Sequence, residues 1–272
     1  MTERSTEPCP AALPEAMAPA TGTLFAALYG AHTPHPWHDP ENDPYQLFHQ
    51  RSLAMGWLDT LWGMNDAGSG HPQRAAGEPE LIAWFQVEAA VVSGERPLPV
   101  RAFLGCVGSV VERIGTADVS VVQLLLPLGS IDVASRPAYA AVPSMLTREW
   151  FRAGDPAARV PVEVVVGSGR DEVIGELPRC LAELEQDVFT LQAYPPGGTS
   201  PESRPSSPGR TSPEPPFDDT FWGGPPRHTL ALHGDLAAWS YDAVGWLGET
   251  LADLAARLGA DAPLLVTVSR TT

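Results

Sequence analysis

His32, His35 and His38 recur every third residue, Asp39, Glu41 and Asp43 follow at once, and His49 stands a turn into the next predicted helix. Imidazole and carboxylate together are ligands for zinc, iron or manganese. The candidate metal ligands are therefore His32, His35, His38, Asp39 and His49. Their spacing runs through Pro34, Pro36 and Pro40. A helix places the two histidines of H-E-x-x-H on one face, whereas a proline-rich stretch carries no such built-in geometry. An ordered, solvated loop is the competing reading, and a metal site would need packing around Trp37 to set its shape.

A second constellation flanks a C-terminal strand. His233 has the opposite parity to Leu230 and Leu232, so it faces solvent or a cleft, and Asp235 follows two residues on. A strand-end histidine beside a carboxylate can move protons, which makes His233 and Asp235 the catalytic candidates. The bland alternative is a histidine satisfied by backbone. Val166-Gly-Ser-Gly-Arg170 resembles a phosphate-cradling turn, but Asp171 and Glu172 would repel an anion there. No G-x-S-x-G motif occurs. All 17 basic residues are arginine, which excludes Schiff-base chemistry, a pyridoxal phosphate anchor and a phosphate-loop lysine. An arginine-only composition points to a high-GC genome of actinobacterial type.

Phe217-Asp-Asp-Thr-Phe-Trp222 ends a proline-rich stretch and is not absorbed by any periodic element. Phe217, Phe221 and Trp222 are the interaction candidates, an acidic–aromatic tether that docks on this or another protein.

The elements that must position these groups follow from periodicity. Asp43, Pro44 and Gln46 give an N-cap, a first-turn proline and a capping box. The helix they start carries Leu47, Phe48, Arg51, Met55, Leu58 and Trp62 at spacings of three and four, an apolar stripe that Arg51 interrupts, with Gly63 as terminator. Leu24–Tyr29 reads as one or two helical turns, and 32–44 as irregular. Residues 84–92 alternate as a strand. Val100, Phe103, Leu104, Val107, Val110, Val111 and Ile114 make a helical stripe, in which Gly105 and Gly108 allow close approach to a sheet. Residues 119–126 form an apolar run suited to a strand covered on both faces. The stretch 127–158 is a long connection with one helix at 144–152. A second strand–helix–strand unit spans 160–193, its helix broken near Gly175 and Pro178. A third, the most regular, has strands at 229–233 and 264–268 around a helix whose stripe runs from Trp239 to Leu258. Asp242, Glu249 and Asp253 are expected away from that stripe.

The fold class expected is α/β (α+β), built from repeated β-α-β units. Two in series give a ferredoxin-like β-α-β-β-α-β arrangement in 84–193, and a further C-terminal β-α-β unit follows. The expected organisation is a disordered 1–20, then an α/β body at 21–193 bearing the histidine–proline loop and its helix. A disordered proline-rich linker spans 194–226, ten of whose residues from Tyr194 to Pro226 are proline. The unit at 227–272 completes the same sheet, because a lone β-α-β unit cannot bury its own apolar face.

A net charge of −16 argues against binding nucleic acid or an anionic membrane. No run approaches the ~20 apolar residues of a membrane span, and no signal-peptide pattern opens the chain. Cys9, Cys106 and Cys180 are odd in number and unpaired by spacing, as expected for free thiols in a reducing cytoplasm. The function expected is that of a non-catalytic assembly or interaction protein without a cofactor, docking a protein partner or a second copy through an acidic surface. The alternative is a small-molecule enzyme or metal-dependent protein using the His32–His49 loop with zinc, iron or manganese.

Overall fold

The computed structural model describes residues 22–39, 43–70, 79–136, 158–169, 171–184, 186–193, 213–217 and 226–271. It is a mixed α/β structure. In chain order the elements are β1 Gly22–Pro34, α1 Pro44–Ala54, β2 Trp62–Ser69, β3 Glu80–Ala89, α2 Val100–Ile114 and β4 Gly115–Leu126. Then come β5 Val160–Ser168, α3 Leu177–Glu183, β6 Phe189–Ala193, β7 His228–Leu236, α4 Tyr241–Arg257 and β8 Leu264–Arg270. The strands form one eight-stranded sheet in the order β2-β3-β1-β4-β8-β5-β7-β6, and every pairing is antiparallel. No described helix is long and apolar enough to cross a membrane.

The two halves of the chain occupy the two halves of the sheet. β1 to β4 lie in the order second, third, first, fourth, and β5 to β8 repeat that order reversed, so that β4 and β8 meet at the seam. The window 84–193 therefore does not close as one unit. β3 and β4 belong to one half, β5 and β6 to the other, and β4 pairs with β1 and β8 rather than with β5. The expected frame starts too late in the chain because β1 reads as helical turns in the sequence. Leu24–Tyr29 is buried on both faces, and an apolar run that short carries no period to separate strand from helix.

β1 also continues through His32 to Pro34. It absorbs the irregular stretch by shifting register at Leu28/Tyr29 against β3 and at Tyr29/Gly30 against β4. Gly30 has φ +156°, and a Cβ there would meet the Asp118 carbonyl oxygen at 2.1 Å. Only glycine fits that bulge.

The α1 cap forms as its residues dictate, with the Asp43 carboxylate accepting from the Gln46 N–H. The helix stops at Ala54, however, well short of Gly63. Gly56, at φ +68°, turns the chain, and Trp62 returns in β2 to pack against Phe48 with ring centres 6.2 Å apart and planes tilted by 39°. β2 itself takes in residues 65–69 of the loop expected at 65–79, of which 71–78 lie outside the described residues. The broken helix is as anticipated: a 3₁₀ turn at Glu172–Glu176 leads into α3, with Pro178 in its first turn.

All four helices bury their apolar sides against one face of the sheet, in a core that includes Phe48, Phe103, Leu177, Trp246 and Leu251. Gly108 opens toward α4, not toward the sheet. A Cβ there would meet the Tyr241 ring at 2.3 Å, so glycine sets how closely α2 and α4 cross over the seam. Gly105 has open space around it.

Cys106 is wholly buried on α2, with its Sγ 3.7 Å from the Ser52 hydroxyl. Burial pushes the thiol up to about 11, against the smaller opposing effects of Ser52 and Arg51. The thiolate is the reactive form, so alkylation of native protein near pH 7.5 should leave Cys106 unmodified while half-buried Cys180 reacts. Peptide mass spectrometry reads this directly, and equal labelling of the two would contradict the packing. Cys9, residues 1–20 and the helix expected at 144–152 lie outside the described residues.

Candidate functional site

Strand alternation gives the sheet a second face. On it, Phe25, Ala27 and Tyr29 of β1 and Val121 and Leu125 of β4 form a separate apolar cluster, flanked by Leu81, Trp84 and Leu265. Among the described residues no helix contributes to this face. Phe25 and Trp84 stack with ring centres 6.0 Å apart and planes inclined by 16°. Trp84 lies over Gly68 of β2, where a Cβ would come within 2.8 Å of its indole nitrogen. That glycine leaves room for a flat aromatic platform.

The platform is occupied by the chain itself. Phe217 meets Phe25 edge-on, with ring centres 4.9 Å apart and planes at 88°, a favoured aromatic geometry. Upstream of it, Pro213 is buried, Glu214 exposed, Pro215 half-buried and Pro216 exposed. The segment is therefore an extended strap with alternate residues turned to the sheet.

Two side chains hold its backbone. Gln123 donates from Nε2 to the Pro213 carbonyl (2.6 Å). The Tyr29 hydroxyl, with a single proton to give, lies 2.9 Å from Gln123 Oε1 and 3.1 Å from the Glu214 carbonyl. Gln123 is only 1% exposed in the middle of an apolar strand. A buried amide is costly unless its hydrogen bonds are met, and the strap meets one of them.

Phe217 was marked in the sequence as an interaction residue. Phe221 and Trp222 lie outside the described residues. The groups that receive Phe217 were not anticipated, although Gln123 inside Val119–Leu126 was a usable signal. A glutamine in a strand covered on both sides needs a partner.

The other candidates fall elsewhere. His35 stacks on exposed Trp37 with ring centres 4.3 Å apart, and its Nε2 lies 3.1 Å from the Glu112 carbonyl. His32 is held below its usual range, first by burial and then by the positive fields of His38 and His35. His49 stacks beside Tyr45 at 6.4 Å. Among the described residues no three His, Cys, Asp or Glu groups are arranged to hold a metal. His233 is half-buried on β7, in register with Glu163 on one side and Gln192 on the other. Asp235 is in register with Pro161 and Thr190. In the Gly-Ser-Gly turn, Ser168 Oγ accepts from the Asp171 N–H (3.0 Å), and the Asp171 carboxylate accepts from the Asp261 and Ala262 N–H groups. Those groups cap loops.

Two acids on α4 depart from expectation. Glu249 and Asp253 are 3% and 5% exposed rather than on an outer face. α2 begins at Pro99, which offers no side-chain cap, and Glu249 supplies one from across the interface by accepting from the Arg101 N–H (3.0 Å). Burial pushes the Glu249 carboxyl up to about 8, Asp242 adds to the rise, and the Arg101 N–H and guanidinium oppose it. A shifted acid is a marker of active sites. This one is sealed between two helices and serves as a cap.

No family model, curated protein or solved structure matches the chain.

Proposed function

We propose that the chain is a non-catalytic interaction protein that docks a protein partner on the helix-free face of its sheet. One observation carries this: an aromatic platform with two backbone-reading side chains already holds an extended protein segment there. Chemistry finds no comparable arrangement among the described residues. The polar groups of the Gly-Ser-Gly turn and of the Glu249 cluster are committed to loops and helix ends. On this reading each half of the chain is a ferredoxin-like unit, and the two share one continuous sheet. The net charge of −16 disfavours anionic partners and speeds encounter with basic ones.

The test is partner retention by immobilised full-length protein in an extract of the native host. Trp84→Ala removes half of the aromatic platform and is expected to release the partner. Leu53→Ser, on the exposed side of α1, is expected to retain it. The opposite pattern, with loss on Leu53→Ser alone, would move the docking surface to the helices.

A further inference from the structure

We infer that residues 213–217 are a built-in competitor, and that the site they fill recognises an extended proline-rich segment ending in an aromatic residue on a partner protein. This rests on the reading of the helix-free face as a docking surface. Proline has no N–H, so Pro-Glu-Pro-Pro cannot pair along a sheet edge as an added strand. It can still offer carbonyls, and those are what Gln123 and Tyr29 bind.

The two halves of the recognition differ in what they read. Hydrogen bonds to main-chain carbonyls accept any sequence that keeps the chain extended. The space beside Phe25 and Trp84 reads the side chain at the Phe217 position. A foreign segment with prolines two residues apart and an aromatic at the end satisfies both. If the strap leaves, Gln123 and Tyr29 can turn to water, so displacement strands no buried polar group.

The strap is joined to the sheet at both ends, through nineteen residues after Ala193 and eight before Pro226. A tethered ligand competes at high effective concentration. Apparent affinity for a partner is lowered by the fraction of sites the strap fills. Weakening the strap should therefore strengthen binding in trans.

The probe is a fluorescein-labelled peptide with the sequence of residues 211–219, followed by fluorescence anisotropy against full-length protein. Phe217→Ala in the protein is expected to bind it about tenfold or more tightly than wild type, and the same peptide with alanine at the phenylalanine is expected not to bind. A second protein, with residues 213–217 replaced by a Gly-Ser sequence, guards against a folding defect in the first. Circular dichroism verifies both. If folded versions of both fail to bind, or bind no better than wild type, the inference is wrong. If they fail while Trp84→Ala still releases a cellular partner, only this inference falls and the docking face stands. A wild-type dimer that dissociates on strap replacement would also overturn it, by making a second copy the occupant.

Discussion

Replacing Glu249 with glutamine stabilises the protein at about pH 9 and changes little near pH 4.5. The carboxyl sits at 3% exposure between α2 and α4, and burial holds its folded value at about 8 against an unfolded value near 4.5. The folded state therefore binds the proton more tightly than the unfolded chain. Stability falls wherever the folded state carries more protons as pH rises. The contribution is fully present below about 4.5 and is lost by about 8. At ~1.4 kcal/mol per unit the loss is of the order of a few kcal/mol. Glutamine keeps the oxygen that accepts from the Arg101 N–H and has nothing to ionise. Urea unfolding of wild type and variant at several pH values reads the difference, which should grow through this window and then level off. A difference that stays flat across it would mean that Glu249 is hydrated in the folded protein.

Arg136→Ala is expected to cost about 3–5 kcal/mol, the usual result of stripping one partner from a buried ion pair. The Arg136 side chain is 1% exposed and its Nη1 stands 3.1 Å from Asp253 Oδ1, an ion-pair contact whose angle is poor for a hydrogen bond. Its Nη2 donates to the Arg96 carbonyl (2.7 Å), tying the turn after β4 to the loop before α2. Asp253 also accepts from Arg257 Nε at 2.7 Å, one turn along α4. That second pair is more exposed, so Arg257→Ala is expected to cost only about 0.5 kcal/mol. Replacing Arg136 and Asp253 together by methionine and leucine should recover most of the loss, because no buried charge is then left alone. Denaturation midpoints of the four proteins decide it. Equal costs for Arg136→Ala and Arg257→Ala would contradict the burial that separates them.

The parts of the fold that were legible share one property: their signal is local. α2 and α4 carry apolar stripes of several turns, β4 and β8 are apolar runs, and Asp43-Pro44-x-Gln46 announces a helix start. The likeness between the stretches 84–126 and 229–269 was also visible, and they hold equivalent places, as β3-α2-β4 and β7-α4-β8, in the two halves. β1 and β2 were not legible. β1 is one of the two inner strands of its half, yet its apolar run is six residues long and fades into His-Thr-Pro. β2 is an edge strand rich in Gly, Asn and Asp, held by pairing to β3 and by the return of Trp62 onto Phe48. Glu249 and Asp253 hid for another reason. Helical phase said outside, but α2 and the turn after β4 cover that side of α4.

The helix-free face was half legible. Phe217 stood out because nothing periodic absorbed it. Phe25, Tyr29, Trp84 and Gln123 come from three strands and span almost a hundred residues of chain. Only the antiparallel register β3-β1-β4, with its bulge at Tyr29, puts them side by side. No spacing rule reaches that far.

The measurement closest to the central claim is photo-crosslinking in the native host from two single positions bearing a photoreactive side chain. One replaces Gln86, half-buried on the helix-free face of β3 and in register with Phe25; the other replaces Gly105, which has open space around it on α2. The expected result is a discrete protein adduct from position 86 and none from position 105. Adducts from position 105 alone would place the partner on the helices and contradict the account.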